Sequence, residues 1–479
     1  MTNLTDLLPA GAGGKQVDFV ASGTIGDGVT VALNSDGTVE AVVGVTQGTG
    51  SEATWSSSSV RISSYNGVSA VYHPVENVVV VVYAADASPY YGRAVVGSIS
   101  GSSITFGSPV VFNSNYTRYP RVTYDSSTEK VVVVWQDLPS STGHGTAVVG
   151  TVSGTSISFG SVTVFNSAGV TEDIAVTFDS NSNKVVVVFK SAEQSNRGYA
   201  CVGTVSGTSI SFGSTVMFES GYTLWIGCCF DTNQNKVVIC YRNASNSSYG
   251  TAIVGTVSGT SISFGTAVVY ESAQSNYNSI VYDSTEQQVV VVYQDAGNSN
   301  YATAVVGTVS GTSVSFGSAT VIRSAATTYT NLSYNSQDKK INVFSLTAGV
   351  LPLTLSNGSL SVGTLSVPAS SIQAVDIAYD SSANKSALIY ANNVKQGKAK
   401  VFTNASTNYT DFIGISDAAI SDTASGSVTI KGGISTNVTG LTPNETYYVQ
   451  TDGSLSTTSS SVTAGKALSA TSINLDYST

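Results

Sequence analysis

Valine-rich runs recur along the chain at a regular interval, and each follows an aromatic residue and a tight polar turn. The clearest copy is residues 124–135, with the sequence YDSSTEKVVVVW. Three close copies and three weaker ones have the same pattern: residues 178–189, 230–241, 282–293, 72–83, 334–344 and 379–390. Successive copies begin 52, 54, 52, 52, 52 and 45 residues apart. A period of this size indicates a repeat architecture.

Each repeat contains four predicted strands separated by turn residues. In the second copy these strands are residues 121–124, 131–136, 146–152 and 157–165. Four short antiparallel strands in about fifty residues are typical of one β-propeller blade. The all-valine second strand suits burial on both faces, because blades stack face to face. Gly150 and Gly160 have counterparts in the other good copies and predict bulges or close backbone approach.

The ends of the repeat region predict how the array closes. The last copy matches only three strands, and its match stops near Asn404. Residues 54–63 hold the place before the first copy that residues 159–166 hold before the third. We therefore expect residues 54–63 to complete the seventh blade beside residues 398–402, which leaves no open sheet edge. The fold class is all-β, a seven-bladed β-propeller of four-stranded antiparallel blades; six blades result if the degenerate sixth copy is not a separate blade.

The propeller is predicted to span residues 51–404, between two flanks. Residues 1–14 are expected to form a flexible N-terminal arm. Residues 15–50 contain strand patterns divided by GDG and SDG turns, and residues 405–479 form a small C-terminal β module of strands and glycine turns. These two flanks could pair, because propeller closure brings both to one place.

Composition and charge limit the function. Charged residues make up 10% of the chain and the net charge is −10, with no basic stripe, so nucleic-acid binding is not expected. No apolar run approaches the length of a membrane span, and the N-terminus lacks the features of a signal peptide. We therefore expect synthesis in a cytoplasm and no membrane insertion. The four cysteines are interpreted as buried free thiols, with a disulfide or metal site as the alternative.

The two ends of the chain resemble a known protein family. The opening LTDLLPAGAGGKQVDFVASGTI and the closing FIGISDAAISDTASGSVTIKGG, YYVQTDGSLSTT and AGKALSATSINL are similar to the ends of tail-associated and fibre-like structural proteins of marine tailed bacteriophages. In that family similar terminal modules flank different middle domains. The resemblance implies a virion protein that binds other virion proteins through its terminal modules and is oligomeric in the particle. It implies no catalytic residues.

Variable loops are predicted on one face of the propeller. The turns after the first and third strands are short and uniform, whereas the loops on the other face are longer and rich in Tyr, Asn and Ser. Tyrosine gives broad contact area and Asn and Ser give adaptable hydrogen bonds, so this composition favours recognition; the alternative is that these residues only make the loops soluble. The candidate ligand-binding residues are Tyr90, Tyr116, Arg118, Tyr119, Arg197, Tyr222, Trp225, Arg242, Tyr249, Tyr277 and Tyr301.

Repeated carboxylates raise two further possibilities. The Asp that follows the first aromatic residue, as at Asp125, is predicted to cap its turn rather than to bind calcium. Asp137 and Asp295 follow the second strand in two repeats; this recurrence favours a structural role over glycosidase chemistry. His73 replaces the corner Asp in the first copy, and His144 completes no catalytic or metal cluster. No metal or cofactor is predicted.

Three functions are compatible with these observations. The first is a tail-fibre or receptor-binding protein that recognises a host-surface glycan or protein through its variable loops. The second is an architectural capsid-decoration or tail protein without receptor binding. The third is a glycan-cleaving propeller enzyme, which needs a carboxylate pair or an Arg cluster on the inner strands. The sequence shows neither there, so we predict a non-enzymatic virion protein.

Overall fold

The computed structural model describes residues 15–34, 36–61, 67–138, 143–367 and 372–475. The predicted flexible arm, residues 1–14, and the end of the predicted closing strand, residues 62–63, lie outside the described residues. The chain forms two compact units. One, the repeat unit, is Gly48–Asn404; the other, the terminal unit, combines Met1–Gln47 with Ala405–Thr479.

The described residues form an all-β fold of several antiparallel sheets. The strands of the terminal unit that precede the repeats are β1 (Gln16–Val20), β2 (Thr30–Leu33), β3 (Val39–Ala41) and β4 (Gly44–Val45). The repeat unit begins with two strands that belong to none of the first six copies, β5 (Gly48–Thr49) and β6 (Ala53–Ser59).

The seven copies follow in chain order. The strands of copies one to three are β7 (Val68–His73), β8 (Val78–Ala84), β9 (Gly92–Ser100), β10 (Ser103–Phe106), β11 (Val110–Asn113), β12 (Tyr116–Asp125), β13 (Lys130–Leu138), β14 (His144–Ser153), β15 (Ser156–Phe159), β16 (Thr163–Asn166), β17 (Thr171–Asp179), β18 (Lys184–Ser191), β19 (Arg197–Ser206), β20 (Ser209–Phe212) and β21 (Val216–Glu219). The strands of copies four to seven are β22 (Thr223–Asp231), β23 (Lys236–Asn243), β24 (Tyr249–Ser258), β25 (Ser261–Phe264), β26 (Val268–Asp283), β27 (Gln288–Asp295), β28 (Tyr301–Ser310), β29 (Ser313–Phe316), β30 (Thr320–Ala326), β31 (Thr330–Asn335), β32 (Lys340–Ser345), β33 (Gly349–Ser356), β34 (Ser359–Val362), β35 (Ile372–Asp380), β36 (Lys385–Asn392) and β37 (Gln396–Thr403).

Each copy pairs its strands in chain order, first with second, second with third and third with fourth. In the second copy Tyr124 is paired with Val131, Val131 with Gly150, and Gly150 with Phe159. The predicted fourth strand is two shorter strands, β15 and β16, which pair with different parts of β14. Strand β26 runs from the fourth copy into the fifth, so these two copies share one sheet. The degenerate sixth copy forms its own sheet, β31-β32-β33-β34.

The seventh copy takes its outer strand from the start of the repeat unit. Strand β6 pairs with β37, with Thr54 opposite Lys398, and β5 continues this edge with Thr49 opposite Phe402. The first strands of consecutive copies contact one another in the order β7, β12, β17, β22, β26, β31 and β35, and β35 contacts β7. The backbone N–H of Ala70 in β7 donates to the Asp376 carboxylate in β35 at 2.7 Å. The last copy is therefore joined to the first by packing and by a hydrogen bond.

The cores lie between adjacent copies. The four valines of β13, Val131, Val132, Val133 and Val134, are fully buried. Val132 and Val134 pack with residues of the third copy, whereas Val131 and Val133 pack with residues of the first. Because a neighbour covers each face of the second strand, both its inward and outward positions must be apolar. This explains the all-valine run.

Close approach, rather than a bulge, accounts for the repeated glycines. The Phe159 ring packs over Gly150, and the two residues stay in regular register. A Cβ at Gly160 would lie 1.9 Å from the carbonyl oxygen of Thr208 in the next copy. A larger residue at Gly160 would therefore push consecutive copies apart.

The corner residues cap the turns, as predicted. The Asp125 carboxylate accepts hydrogen bonds from the backbone N–H groups of Ser127 and Thr128 at 2.9 and 3.2 Å. In the first copy Nδ1 of His73 accepts from the backbone N–H of Glu76 at 3.3 Å. Both side chains are almost completely buried. The histidine thus replaces the aspartate as a turn acceptor.

The terminal unit is built from both ends of the chain. After the repeats come β38 (Ser406–Thr407), a 3₁₀ turn (Tyr409–Asp411), β39 (Phe412–Ser416), β40 (Ser425–Ile430), β41 (Ile434–Ser435), β42 (Thr446–Val449), β43 (Leu455–Ser456), β44 (Thr463–Ser469) and β45 (Ser472–Leu475). One sheet has the order β1-β40-β39-β2-β3, so three of the strands within residues 15–50 share a sheet with the C-terminal segment, whereas β5 belongs to the repeat unit. A second has the order β41-β45-β44-β42-β43, and β4 pairs with β38.

Candidate functional site

The first strands of the copies begin earlier than the sequence predicted. Strand β12 starts at Tyr116, opposite Leu138, and its register shifts between Arg118 and Arg121. The equivalent strands β17, β22 and β26 have the same irregularity. A bulge of this kind adds a residue to one strand and breaks the alternation that marks a strand in the sequence.

This corrects the expected position of most candidate residues. Tyr90 and Tyr222 lie in loops, as predicted. The prediction of loop positions is wrong for the others, which lie on first strands (Tyr116, Arg118, Tyr119, Trp225 and Tyr277), on the second strand β23 (Arg242) and at the starts of third strands (Arg197, Tyr249 and Tyr301). The candidate surface is therefore built largely on sheets, which hold side chains more rigidly than loops do.

A left-handed backbone conformation recurs at one position of the repeat. The residue at this position lies in the bulge of β12, β17, β22 and β26 and directly before β31. Its φ angle is between 47° and 54° in these five consecutive copies, at Tyr119, Asp173, Trp225, Tyr277 and Tyr329. These residues are spaced by 54, 52, 52 and 52 positions, the interval of the repeat itself. Bulky residues rarely adopt this conformation, and such strained positions concentrate at functional sites. The sequence analysis missed Asp173 and Tyr329, although the repeat interval counted from Trp225 leads to both.

Three of these residues form an aromatic cluster, which we define as Trp225, Tyr277 and Tyr329. The ring centroids of Trp225 and Tyr277 are 4.4 Å apart, those of Tyr277 and Tyr329 are 4.4 Å apart, and those of Trp225 and Tyr329 are 5.8 Å apart. The three rings come from three consecutive copies and are partly exposed. Together they present apolar ring surface that water still reaches.

The aromatic cluster borders a central cavity of about 230 Å³. First strands of all seven copies contribute to its lining, with Arg121, Asp173 and Asp376 among the lining residues. The sequence showed no carboxylate pair and no Arg cluster on the inner strands; the structure brings two carboxylates, Asp173 and Asp376, and one arginine, Arg121, to the lining of the same cavity. Each of these residues belongs to a different copy, so only the convergence of the strands brings them to one cavity.

Burial shifts the pKa of each charged group in the cavity. It raises the pKa of Asp376 to about 6, although the N–H groups of Ala70 and Ile377 oppose the shift by donating to the carboxylate. It raises the pKa of Asp173, with Lys190 opposing, and lowers the pKa of Arg121. The Asp376 carboxylate is thus a buried acceptor for backbone groups of two copies.

Two cations lie at equivalent positions on the second strands of consecutive copies. Nζ of Lys190 in β18 lies 3.0 Å from a Glu172 carboxylate oxygen, 3.5 Å from an Asp173 oxygen and 5.3 Å from the centre of the Tyr222 ring. Nη1 of Arg242 in β23 donates to Oδ1 of Asn276 at 2.5 Å. Both cations occupy the position directly after the aromatic residue that ends the valine run.

An amide network fixes Asn276 beside Arg242. Nδ2 of Asn276 donates to Oε1 of Gln294 at 3.0 Å, and Nε2 of Gln294 donates to the Thr327 carbonyl at 2.7 Å. Nε2 of Gln274 donates to Oδ1 of Asn276 at 3.1 Å. Because both ends of the Asn276 amide are bonded, its oxygen is held in position to accept from Arg242.

A second group of candidates lies at the first and second copies. The Arg61 guanidinium carbon is 4.7 Å from the Tyr90 ring centre and 4.5 Å from the Tyr116 ring centre. These two rings are 5.0 Å apart. Arg118 lies 5.2 Å from the Tyr119 ring, which is buried in the core. The sequence analysis missed Arg61 because it follows the closing strand rather than a loop.

The remaining candidates occupy equivalent positions around the same face. Arg197, Tyr249 and Tyr301 begin the third strands β19, β24 and β28. Within the described part of the chain, no side-chain hydrogen bond or ring contact joins them to the aromatic cluster. Arg197 is exposed, and the two tyrosines are partly exposed.

The residues considered for glycosidase chemistry or metal binding do not form a catalytic or metal site in the described part of the chain. The Asp137 carboxylate accepts from the side-chain amides of Asn113 and Asn115 at 2.9 and 3.3 Å, whereas that of Asp295 accepts from the Gly297 N–H at 2.9 Å. The four cysteines are free thiols. Among the described residues no cluster of three or more His, Cys, Asp or Glu side chains could hold a metal ion. In the same residues, no helix is long and apolar enough to cross a membrane.

No protein-family model and no curated protein sequence matches the chain. Its fold is similar to that of the lectin BP39L from Burkholderia pseudomallei, with a TM-score of 0.55 and 12% sequence identity. The similarity covers 72% of this chain and 98% of the lectin chain. At this identity the comparison shows a shared all-β fold and nothing about the site.

Proposed function

We propose that the repeat unit is a seven-bladed β-propeller that binds carbohydrate on the face formed by the bulged ends of the first strands. The observation that carries this proposal is the aromatic cluster with Arg242 and the Asn276 amide beside it. Partly exposed rings can stack on the apolar C–H face of a sugar, while amide and guanidinium groups hydrogen-bond its hydroxyls. The similarity of the fold to a lectin supports the same function.

Several observations support seven blades over six. The degenerate sixth copy has its own four-stranded sheet. The seventh copy, which lacks a fourth strand in sequence order, pairs with β5 and β6 instead. The packing of β35 on β7 joins the last copy to the first. A propeller closed in this way has no open sheet edge between its ends.

The cavity carboxylates favour binding over glycan cleavage. Glycosidase chemistry needs one carboxyl group that transfers a proton and a second that acts as nucleophile or base across the scissile bond. Asp376 instead accepts backbone hydrogen bonds from Ala70 in the first copy and from Ile377 in its own strand, and Asp173 faces Lys190. Each carboxylate already has a structural partner, so we propose that the protein is not an enzyme.

We further propose that the protein is a virion component of a tailed bacteriophage, of tail-fibre or receptor-binding type. The resemblance of its two ends to those of phage structural proteins supports this setting, with the terminal unit attaching to other virion proteins. The ligand in this setting is a glycan of the bacterial surface. The protein is then made in the host cytoplasm and carried in the particle.

A second candidate is an architectural virion protein whose outer rim packs on neighbours. Exposed apolar side chains recur on the outer strands of five consecutive copies: Val111, Val164, Met217, Val269 and Val321. Such a regular apolar row on a surface is typical of contact with another protein. This candidate uses a different surface from the carbohydrate site, so the two can be tested separately.

The test is binding of the purified chain to immobilised bacterial lipopolysaccharides and capsular polysaccharides. Trp225→Ala and Tyr277→Ala should each weaken binding at least about tenfold, as loss of a central aromatic contact does. Tyr301→Ala is the matched control, because Tyr301 lies on the same face without contacting the aromatic cluster. Equal binding by all four proteins, or no binding by the wild type, would refute the carbohydrate site. Release of new reducing ends during incubation would show an enzyme instead.

A further inference from the structure

The charges beside the aromatic cluster are unequally balanced. Lys190 is paired with two carboxylates, Glu172 and Asp173, and its side chain is 6% exposed. No carboxylate lies within 4 Å of the Arg242 guanidinium in the described part of the chain. The Asp173 carboxylate interacts electrostatically with Arg242 from more than 4 Å away, and it is already paired with Lys190 at 3.5 Å. Arg242 is therefore a cation without a counter-ion at this face.

The surroundings of Arg242 make that imbalance unfavourable in the unbound protein. Among the residues that the structure describes, the guanidinium donates one hydrogen bond, to Asn276, and its buried Nε has no hydrogen-bond partner. Burial lowers the pKa of Arg242, yet an arginine remains charged at any physiological pH. A cation partly removed from water gains most from an anion that approaches it directly. We therefore expect the Arg242 side chain to bind a negatively charged group.

Two aromatic side chains lie near this cation. Tyr222 and Tyr277 are both close enough to Arg242 to interact with its charge. Tyr277 belongs to the aromatic cluster, and Tyr222 is 39% exposed. A ligand that reaches Arg242 therefore also meets ring surface. An anion without an apolar face would leave that surface unused.

We propose that this site takes an acidic sugar, with its carboxylate on Arg242 and its ring on Tyr277 and Trp225. The proposal rests on the carbohydrate-binding function and names the class of sugar. The planar guanidinium fork matches the two oxygens of a carboxylate, which a neutral sugar does not offer. Lys190 contributes little to this selection, because Glu172 and Asp173 already balance its charge.

The test compares uronate-containing bacterial polysaccharides with the same polymers after chemical reduction of their carboxyl groups. The wild-type chain should bind the acidic form at least about tenfold more tightly than the reduced form, the difference that one charge-assisted contact gives. Arg242→Gln should reduce this preference, because it should weaken binding of the acidic form more than binding of the reduced form. Arg197→Gln, which removes an exposed arginine on the same face, should leave it unchanged.

The outcomes separate this inference from the carbohydrate function itself. Equal binding of acidic and reduced polymers by the wild type overturns the acidic-sugar assignment and keeps carbohydrate binding. The acidic-sugar assignment is also overturned, and carbohydrate binding is kept, if Arg242→Gln weakens binding of both forms equally or if sulfated polymers bind more tightly than uronates. Binding of neither form, together with failure on the wider polysaccharide set, refutes both proposals. Unchanged tryptophan fluorescence and circular dichroism of Arg242→Gln would show that its effect is not misfolding.

Discussion

The glycine that follows Phe in the fourth strand offers a direct test of how consecutive copies pack. A Cβ on Gly213 would lie 1.9 Å from the carbonyl oxygen of Thr260, in a turn of the next copy. Gly317 holds the same position two copies later, but there the nearest atom is the Val306 carbonyl oxygen at 3.9 Å. Gly213→Ala and Gly317→Ala therefore add the same methyl group, but only the methyl group at position 213 clashes with the next copy.

The expected difference follows from that geometry. Ordinary contact begins near 3.4 Å, so Gly213→Ala must move a backbone segment by more than an ångström. Overpacking of this kind costs about 1–3 kcal/mol of the free energy of unfolding. Gly317→Ala meets no clash, and by restricting the unfolded chain it should stabilise by about 0.4–1 kcal/mol. The two variants should thus differ by about 1.4–4 kcal/mol.

Urea unfolding followed by tryptophan fluorescence measures this difference. All three tryptophans, Trp55, Trp135 and Trp225, belong to the repeat unit, so the signal reports on that unit. Gly213→Ala should lower the urea midpoint, whereas Gly317→Ala should leave it unchanged or raise it. Gly160→Ala, with its own clash at 1.9 Å, should behave like Gly213→Ala. Equal midpoints for Gly213→Ala and Gly317→Ala would refute the packing of consecutive copies described above.

Three further predictions concern single side chains. Burial raises the pKa of Asp376 from its usual 3.8 to about 6, so the folded chain binds this proton more tightly and stability falls as the pH rises from about 4 to 6. Asp376→Asn should shrink the difference between urea midpoints at pH 4.5 and 7; an unchanged difference would contradict the assignment. Tyr293→Phe removes the 2.7 Å hydrogen bond to Glu271, so it should lower the free energy of unfolding by about 1–2 kcal/mol in the same assay. A urea midpoint equal to that of the wild type would show that the bond contributes nothing. Burial raises the pKa of Cys240 to about 12 and also raises the pKa of Cys201. Both thiols should therefore react with a thiol reagent only when urea unfolds the chain. Rapid labelling of either cysteine in the native chain would contradict this prediction.

The repeated strands could be predicted from the sequence because one physical demand recurs in every copy. The second strand is covered on both faces, so Val131 to Val134 have no exposed position at which a polar residue would be favourable. The same regularity located the outer strand of the last copy, since residues 54–63 could be aligned with the fourth strands. In the structure β6 pairs with β37.

The candidate site was less predictable because it lies where the repeat becomes irregular. The bulge in β12, β17, β22 and β26 breaks the alternation of side chains, so Trp225 and Tyr277 were assigned to loops. Arg121 and Asp376 are separated by most of the repeat region, and only the convergence of first strands brings them to one cavity. The sequence carries the repeat interval, but not the direction in which each bulged side chain points.

The side chains at this left-handed position are not the ones that the backbone conformation favours. A left-handed backbone favours glycine or asparagine, and a bulky residue there costs about 1–3 kcal/mol. Five consecutive copies instead have Tyr, Asp, Trp, Tyr and Tyr at this position. Stability explains Tyr119, which is buried in the core between two copies. It does not explain the partly exposed rings of Trp225, Tyr277 and Tyr329, because each incurs the backbone cost while leaving ring surface in water. A constant backbone with a side chain that differs between copies is what a recognition surface on a rigid scaffold requires.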